Sequence, residues 1–186
     1  MRKRIKIIPY TTIDGIFTFR DSDIMALYER TEADGTCKTV FCDGSIGSKE
    51  QFLACMKGNS ELYVIFLDDK ICGFTWLNRF EGRFARMHWC LFKEVWGKES
   101  VEIGRYVVNI LINSKDKKGK YWLDMLVGYI PVSNAIAITF VKKVGGIFAG
   151  ELPCGAYNRG KSEAAAIVYY VRDDHEDTRQ NDIPVE

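Results

Sequence analysis

The most regular patterning lies in the middle of the chain. From Glu61 to Leu67 the sequence ELYVIFL is dense in β-branched and aromatic residues, and Ile71 to Leu77 (ICGFTWL) repeats that character. Asp68-Asp69-Lys70 supplies turn chemistry between them, so the two segments predict a hairpin. Gly82 opens a loop, and 84–93 (FARMHWCLFK) reads as a third strand. Over 99–114 the period changes. Ile103, Tyr106, Val107, Ile110 and Leu111 recur at three-and-four spacing, which predicts a helix. Residues 121–130 then read as a strand and Pro131-Val132-Ser133 as a turn. Ser133-Asn134 caps a helix running to about Val144, where Gly145-Gly146 stops it. Two more strands are expected near 147–152 and 164–171.

The N-terminal third has weaker periodicity. Residues 3–8 predict a short strand and 15–19 another extended piece. Asp21-Ser22-Asp23 offers N-cap chemistry for a helix near 22–31, and 32–47 reads as a long loop. Ser48-Lys49-Glu50-Gln51 is a capping-box sequence leading into Phe52, Leu53, Cys55 and Met56, and that helix ends at Gly58-Asn59. The resulting order, β, α, α, β, β, β, α, β, α, β, β, places the chain in the α/β (α+β) class. Its third helix and the strand after it predict one right-handed crossover. With no internal repeat or linker, 1–172 is expected to form a single domain. The polar run after Arg172 predicts a disordered tail over 173–186.

Composition narrows the function classes. Apolar residues make up 47% of the 186 and charged residues 27%, an ordinary globular balance with room for a substantial core. A formal net charge of +1 gives no electrostatic pull toward nucleic acid or an anionic membrane. The basic start Met1-Arg2-Lys3-Arg4 precedes only Ile5, Ile7 and Ile8, too short an apolar run for a signal peptide. No run approaches the roughly 18 apolar residues of a membrane span. Cysteines at 37, 42, 55, 72, 90 and 154 include no CxxC pair, and His88 and His175 are the two histidines. That spacing predicts no metal site, and it reads as free thiols in a reducing cytoplasm. Lys115 to Lys120 reads as a solvated basic turn, and neither GxGxxG nor GxxxxGK[ST] is present.

Two motifs remain. Glu94-Val95-Trp96-Gly97-Lys98-Glu99-Ser100 stands between the third predicted strand of the central run and the helix after it. Unpaired amides at a helix start carry partial positive charge, and glycine lets the backbone close around a pyrophosphate. The second motif, Asn134-Ala135-Ile136-Ala137-Ile138 through Lys143, Val144 and Gly145, opens the next helix. Together, over 61–171, they resemble the GNAT superfamily, whose members transfer an acyl group from CoA to an amine. Trp96-Gly97-Lys98 matches the cofactor loop, while Glu99 occupies the usual glycine position and Val101 replaces a small residue. Asn134, Ala137, Ile138, Lys143 and Gly145 match the helix pattern. Val141 stands where many members carry a tyrosine acid.

The resemblance implies a central mixed sheet of six to seven strands with about four helices, and acetyl-CoA as co-substrate. It implies that Trp96, Gly97, Lys98, Glu99, Ser100, Asn134 and Phe140 meet the cofactor, and that Cys90, Leu91 and Phe92 offer it a strand edge. Candidates for proton transfer are His88, whose unperturbed pKa is near neutral, and Asp124. In the apolar strand YWLDMLV, Asp124 requires either a raised pKa or a specific partner. Tyr129 is the candidate to replace the missing acid. The acceptor is an unidentified amine: a protein N-terminus, a lysine or a small amine. A binding or assembly protein with the same fold and no turnover is the alternative, motivated by Glu99 and Val141. The exposed last strands of such a sheet can pair between chains, which leaves a homodimer open.

Overall fold

The computed structural model describes residues 4–172, so the tail expected over 173–186, with His175, lies outside the described residues. Three short strands come first: β1 (Ile5–Pro9), β2 (Thr12–Ile13) and β3 (Ile16–Phe17). Helices α1 (Asp21–Ala33), α2 (Cys37–Val40) and α3 (Lys49–Lys57) follow. Then come β4 (Ser60–Leu67), β5 (Lys70–Glu81), β6 (Phe84–Leu91), α4 (Lys98–Ile112), β7 (Met125–Pro131), α5 (Ala135–Val144), β8 (Ile147–Asn158) and β9 (Lys161–Val171). The principal sheet has seven strands in the order β1-β4-β5-β6-β7-β9-β8, and β6–β7 is its parallel pair.

Alternation along the strands sorts the core into two layers. Phe74, Trp76, Cys90 and Phe92 pack with Ile24 and Leu27 of α1 and Phe52 of α3 on one face. Leu77, Ala85, Met87 and Leu126 pack with Ile103, Val107 and Leu111 of α4 on the other. Each such side chain taken fully from water contributes about 1.5–3 kcal/mol, so the central strands are fixed between both helical layers.

Several local expectations change. Helix α1 begins at Asp21 with Arg20 as its N-cap, because the Asp23 carboxylate reaches back to the Arg20 amide at 3.0 Å. Ser48 does cap α3, but Gln51 Oε1 accepts from Gly47 N–H at 2.8 Å instead of completing the box. The loop expected over 32–47 contains the four-residue α2. The strand expected over 121–130 starts only at Met125. Tyr121 makes an isolated bridge to Lys115, and the Trp122 amide donates to Ser114, which holds this segment to the end of α4. Strands β8 and β9 are longer than expected. Register shifts between Leu152 and Ala156 absorb Pro153 and Gly155, so the pairing continues past residues that read as breakers. All six cysteines are free, and no helix among the described residues is long and apolar enough to cross a membrane.

Candidate active site

The parallel pairing of β6 with β7 covers only Phe84–Met125, Ala85–Leu126 and Arg86–Val127. Beyond that rung both strands continue, β6 to Leu91 and β7 to Pro131, without pairing to each other. The outer edge of β7 is held throughout by β9, and β6 is held by β5 up to Leu91. Two strands anchored to different neighbours therefore part in the middle of the sheet.

Backbone alternation decides which groups face this split. The Phe92 amide donates to Cys72, which puts Phe92 and, by alternation, Cys90 on the β5 side. Their side chains are buried in the α1–α3 core. The edge expected at Cys90, Leu91 and Phe92 is thus corrected: Trp89 and Leu91 turn their amides and carbonyls to the split. The Leu91 carbonyl already accepts from Trp96 Nε1 at 2.8 Å.

Helix α4 starts just beyond the split. Its N-cap is Gly97, with φ +98°, a conformation that a residue bearing Cβ adopts only under strain. Ser100 Oγ donates back to the Gly97 carbonyl at 2.7 Å and so tightens the first turn. A cleft of about 330 Å³ lies between this helix start and α5, lined by Gly97, Ser100, Val101, Thr139, Phe140 and Lys143 among others. Phe140 joins cleft to split, since its ring meets Trp89 edge-on at 5.6 Å. The helices can approach this closely because residue 104 is glycine. A Cβ there would lie 2.5 Å from Val144 Cγ2 and 2.9 Å from Phe140 Cζ.

Of the expected cofactor contacts, Gly97, Ser100 and Phe140 line the cleft. Trp96, Lys98, Glu99 and Asn134 do not. Trp96 binds Leu91, and Asn134 Oδ1 caps α5 by accepting from Ala137 N–H at 3.1 Å. Glu99 is half-buried. Val101 and Lys143, which the sequence offered only as motif positions, also line the cleft, as does Thr139, which it did not single out. Ile136, Thr139, Phe140 and Lys143 share one face of α5 by three-and-four spacing, which was the available signal.

The proton-transfer candidates separate. His88 lies on the α1–α3 face beside the split. Its ring stacks on Trp76 at 4.5 Å, and Nε2 meets Asn78 Oδ1 at 3.1 Å. Burial first, then the charge of Arg86, pulls its pKa down to about 4, so the ring is neutral and a weak base near pH 7. Asp124 has the specific partners and no raised pKa. Arg83 binds it through Nε (2.5 Å) and Nη2 (2.9 Å), Arg172 through Nη2 (2.9 Å), and the two guanidiniums hold it far below the carboxylate range. It also precedes Met125, at the closed end of the paired rungs. Asp124 is thus an ion-paired carboxylate, the second of the two settings its sequence context allowed, and its lowered pKa makes it a weak base. Tyr129 sits two residues past the last rung, with the Arg86 guanidinium 4.3 Å from its ring centroid. Arg86 had no place in the sequence reading.

A seven-stranded sheet whose parallel pair parts beside a glycine-led helix is the fold of the GNAT acyl-CoA N-acyltransferases. No family model and no curated protein matches the sequence. Solved structures match its fold. The acetyl transferase of Salmonella typhimurium that modifies the N-terminal serine of ribosomal protein L7/L12 matches with TM-score 0.71 and 14% identity, over 91% of this chain and 95% of that one. A ribosomal L7/L12 alpha-N-protein acetyltransferase in complex with coenzyme A matches with TM-score 0.64 and 14% identity, over 83% and 92%. Spermidine N-acetyltransferase from Vibrio cholerae, in complex with CoA and spermine, matches with TM-score 0.67 and 11% identity, over 90% and 95%. At such identities the likeness is one of fold.

Proposed function

We propose that this chain is an N-acetyltransferase that moves an acetyl group from acetyl-CoA to an amine. The observation that carries the reading is the split between β6 and β7, with open backbone at Trp89 and a cleft leading from it to the bare start of α4. The residues fit the co-substrate. The first amides of α4 and the Lys143 ammonium offer donors and positive charge to a pyrophosphate. Thr139 and Phe140 give an adjoining surface for an amphipathic arm, and Trp89 offers strand-edge hydrogen bonds to its amides.

Acetyl-CoA supplies an activated acyl carbon. What the chain supplies is proximity and a fixed dipole at the split. The Trp89 or Leu91 amide donates to the developing oxyanion, and the Tyr129 hydroxyl returns a proton to the departing thiolate. Neither His88 nor Asp124 is a competent base, so the acceptor reacts from its free-base fraction. The rate kcat/KM then rises with pH along the titration of the acceptor amine, without an inflection from a protein group near 7. Tyr129→Phe lowers kcat about 100-fold with KM held. A ligand held at about 100 times its Kd stabilises by about 2.7 kcal/mol, so millimolar acetyl-CoA is expected to raise Tm by several degrees. An unchanged Tm removes this reading.

A binding protein of the same fold without turnover is the second reading. It is favoured by Trp96, which occupies the Leu91 carbonyl at the split. A Tm that rises with acetyl-CoA, together with release of free thiol in the presence of an amine, decides for the enzyme.

A further inference from the structure

We propose that the acceptor carries its own anionic group, a carboxylate or phosphate, and that Arg86, assisted by Arg79, holds it at the mouth of the split. That the bound amine is an acceptor rests on the transferase reading, whereas the anion site rests on Arg86 and its surroundings alone.

Arg86 belongs to the last paired rung of β6 and β7. By alternation its side chain shares the α1–α3 face with His88, and its guanidinium reaches across to the ring of Tyr129 on β7. It therefore bridges the two strands where they begin to part. The group is half-buried. Among the described residues, ion pairs engage Arg4, Arg20, Arg30, Arg83 and Arg172, and none engages Arg86 or Arg79. Tyr129 engages this guanidinium but no carboxylate pairs with it, so a partly buried cation is left with donors suited to an anion.

Asp43 is the acid whose field reaches both Arg86 and His88; it forms no ion pair with either and accepts from the amide and hydroxyl of Ser45 at 3.1 and 2.8 Å.

Arg79 adds a second charge at the same end of the sheet. Simple alternation would place it with Thr75 and Leu77 on the α4 face. Instead the β5–β6 register breaks between Asn78 and Glu81, and Arg79 takes φ +49°. A bulge with a non-glycine residue in the left-handed region carries strain. From that exposed position its charge adds to the effect of burial in lowering the pKa of Arg86 and, after burial and Arg86, that of His88. Like charges gathered at the cost of backbone strain, with His88 neutral beside them, are suited to an anion. They oppose a polyamine.

The test is calorimetric titration of the full chain, without acetyl-CoA, with five amines: aspartate, asparaginamide, O-phosphoserine, serinamide and spermidine. Aspartate or O-phosphoserine is expected to bind at least about tenfold more tightly than its neutral partner, as charge-assisted guanidinium contacts require. The better of the two identifies carboxylate or phosphate. Arg86→Gln abolishes the preference and Arg86→Lys restores part of it. Arg79→Gly weakens it while raising Tm, since glycine relieves the positive φ; this variant carries the test if Arg86→Gln fails to fold. Equal binding of charged and neutral amines, absence of binding by both anions, tighter binding of spermidine, or an undiminished preference in Arg86→Gln overturns the proposal. A separate melt with acetyl-CoA keeps the two readings apart. Discrimination among the amines without a response to acetyl-CoA retains the anion site and removes the transferase. A response to acetyl-CoA without discrimination does the reverse.

Discussion

The indole of Trp96 donates to the backbone carbonyl of Leu91 at 2.8 Å, tying the loop before α4 to the open edge of β6. Half of the Trp96 surface is exposed, so the bond serves geometry more than core packing. One neutral hydrogen bond is worth about 0.5–1.5 kcal/mol. Trp96→Phe is therefore expected to change Tm little and to raise the KM for acetyl-CoA about 2- to 10-fold. Steady-state kinetics with acetyl-CoA as the varied substrate checks this, and an unchanged KM would show that the tether does not shape the cleft.

Gly104 sets the separation of α4 and α5. Gly104→Ala drives a methyl toward Val144 and Phe140, and overpacking of this kind typically costs about 1–3 kcal/mol. Phe140 also lines the cleft, so weaker acetyl-CoA binding should accompany the lower stability. Urea denaturation and titration of the cofactor measure both, and an intact affinity would separate the helix contact from the site.

His88 makes stability depend on pH. Its folded pKa, about 4, lies below its ordinary 6.5, so the unfolded chain binds more protons between those values. Stability is complete above pH 6.5 and falls as pH drops toward 4, by up to about 3 kcal/mol from this group. His88→Phe keeps a ring against Trp76 but has no proton to gain, and this part of the pH dependence should vanish. Denaturation at pH 7 and pH 4.5 compares the two.

Arg172 is buried, binds the Leu123 carbonyl and Asp124, and lies over the Tyr121 ring at 4.1 Å. Arg172→Met should destabilise by about 2 kcal/mol through the unpaired groups left behind. Because Asp124 has a lowered pKa, the contribution of its ion pairs is present above the unfolded carboxylate range and lost as pH falls below it. Arg83→Gln should diminish that acid sensitivity, while kcat stays unchanged if Asp124 has no part in proton transfer. A large loss of kcat would return Asp124 to the chemistry.

Much of the fold was legible because local rules and burial agree there. The hairpin of β4 and β5, the period of α4 and the Ser48 cap each follow from a few adjacent residues. The segment 121–124 was misread because its apolar residues are buried by packing and not by a strand ladder. Of the expected cofactor contacts, Gly97, Ser100 and Phe140 line the cleft and Asn134 caps α5, a division that depends on how two helices pack.

The order of the principal strands and helices and the glycine-led helix start follow from periodicity, capping and backbone freedom within a few residues. The parting of β6 and β7 after Arg86, the turning of Trp89 rather than Cys90 to the opening, and the binding of Asp124 between two arginines arise only in the folded chain. These facts depend on strand register and on partners 41 and 48 residues away, distances over which local pattern holds no information.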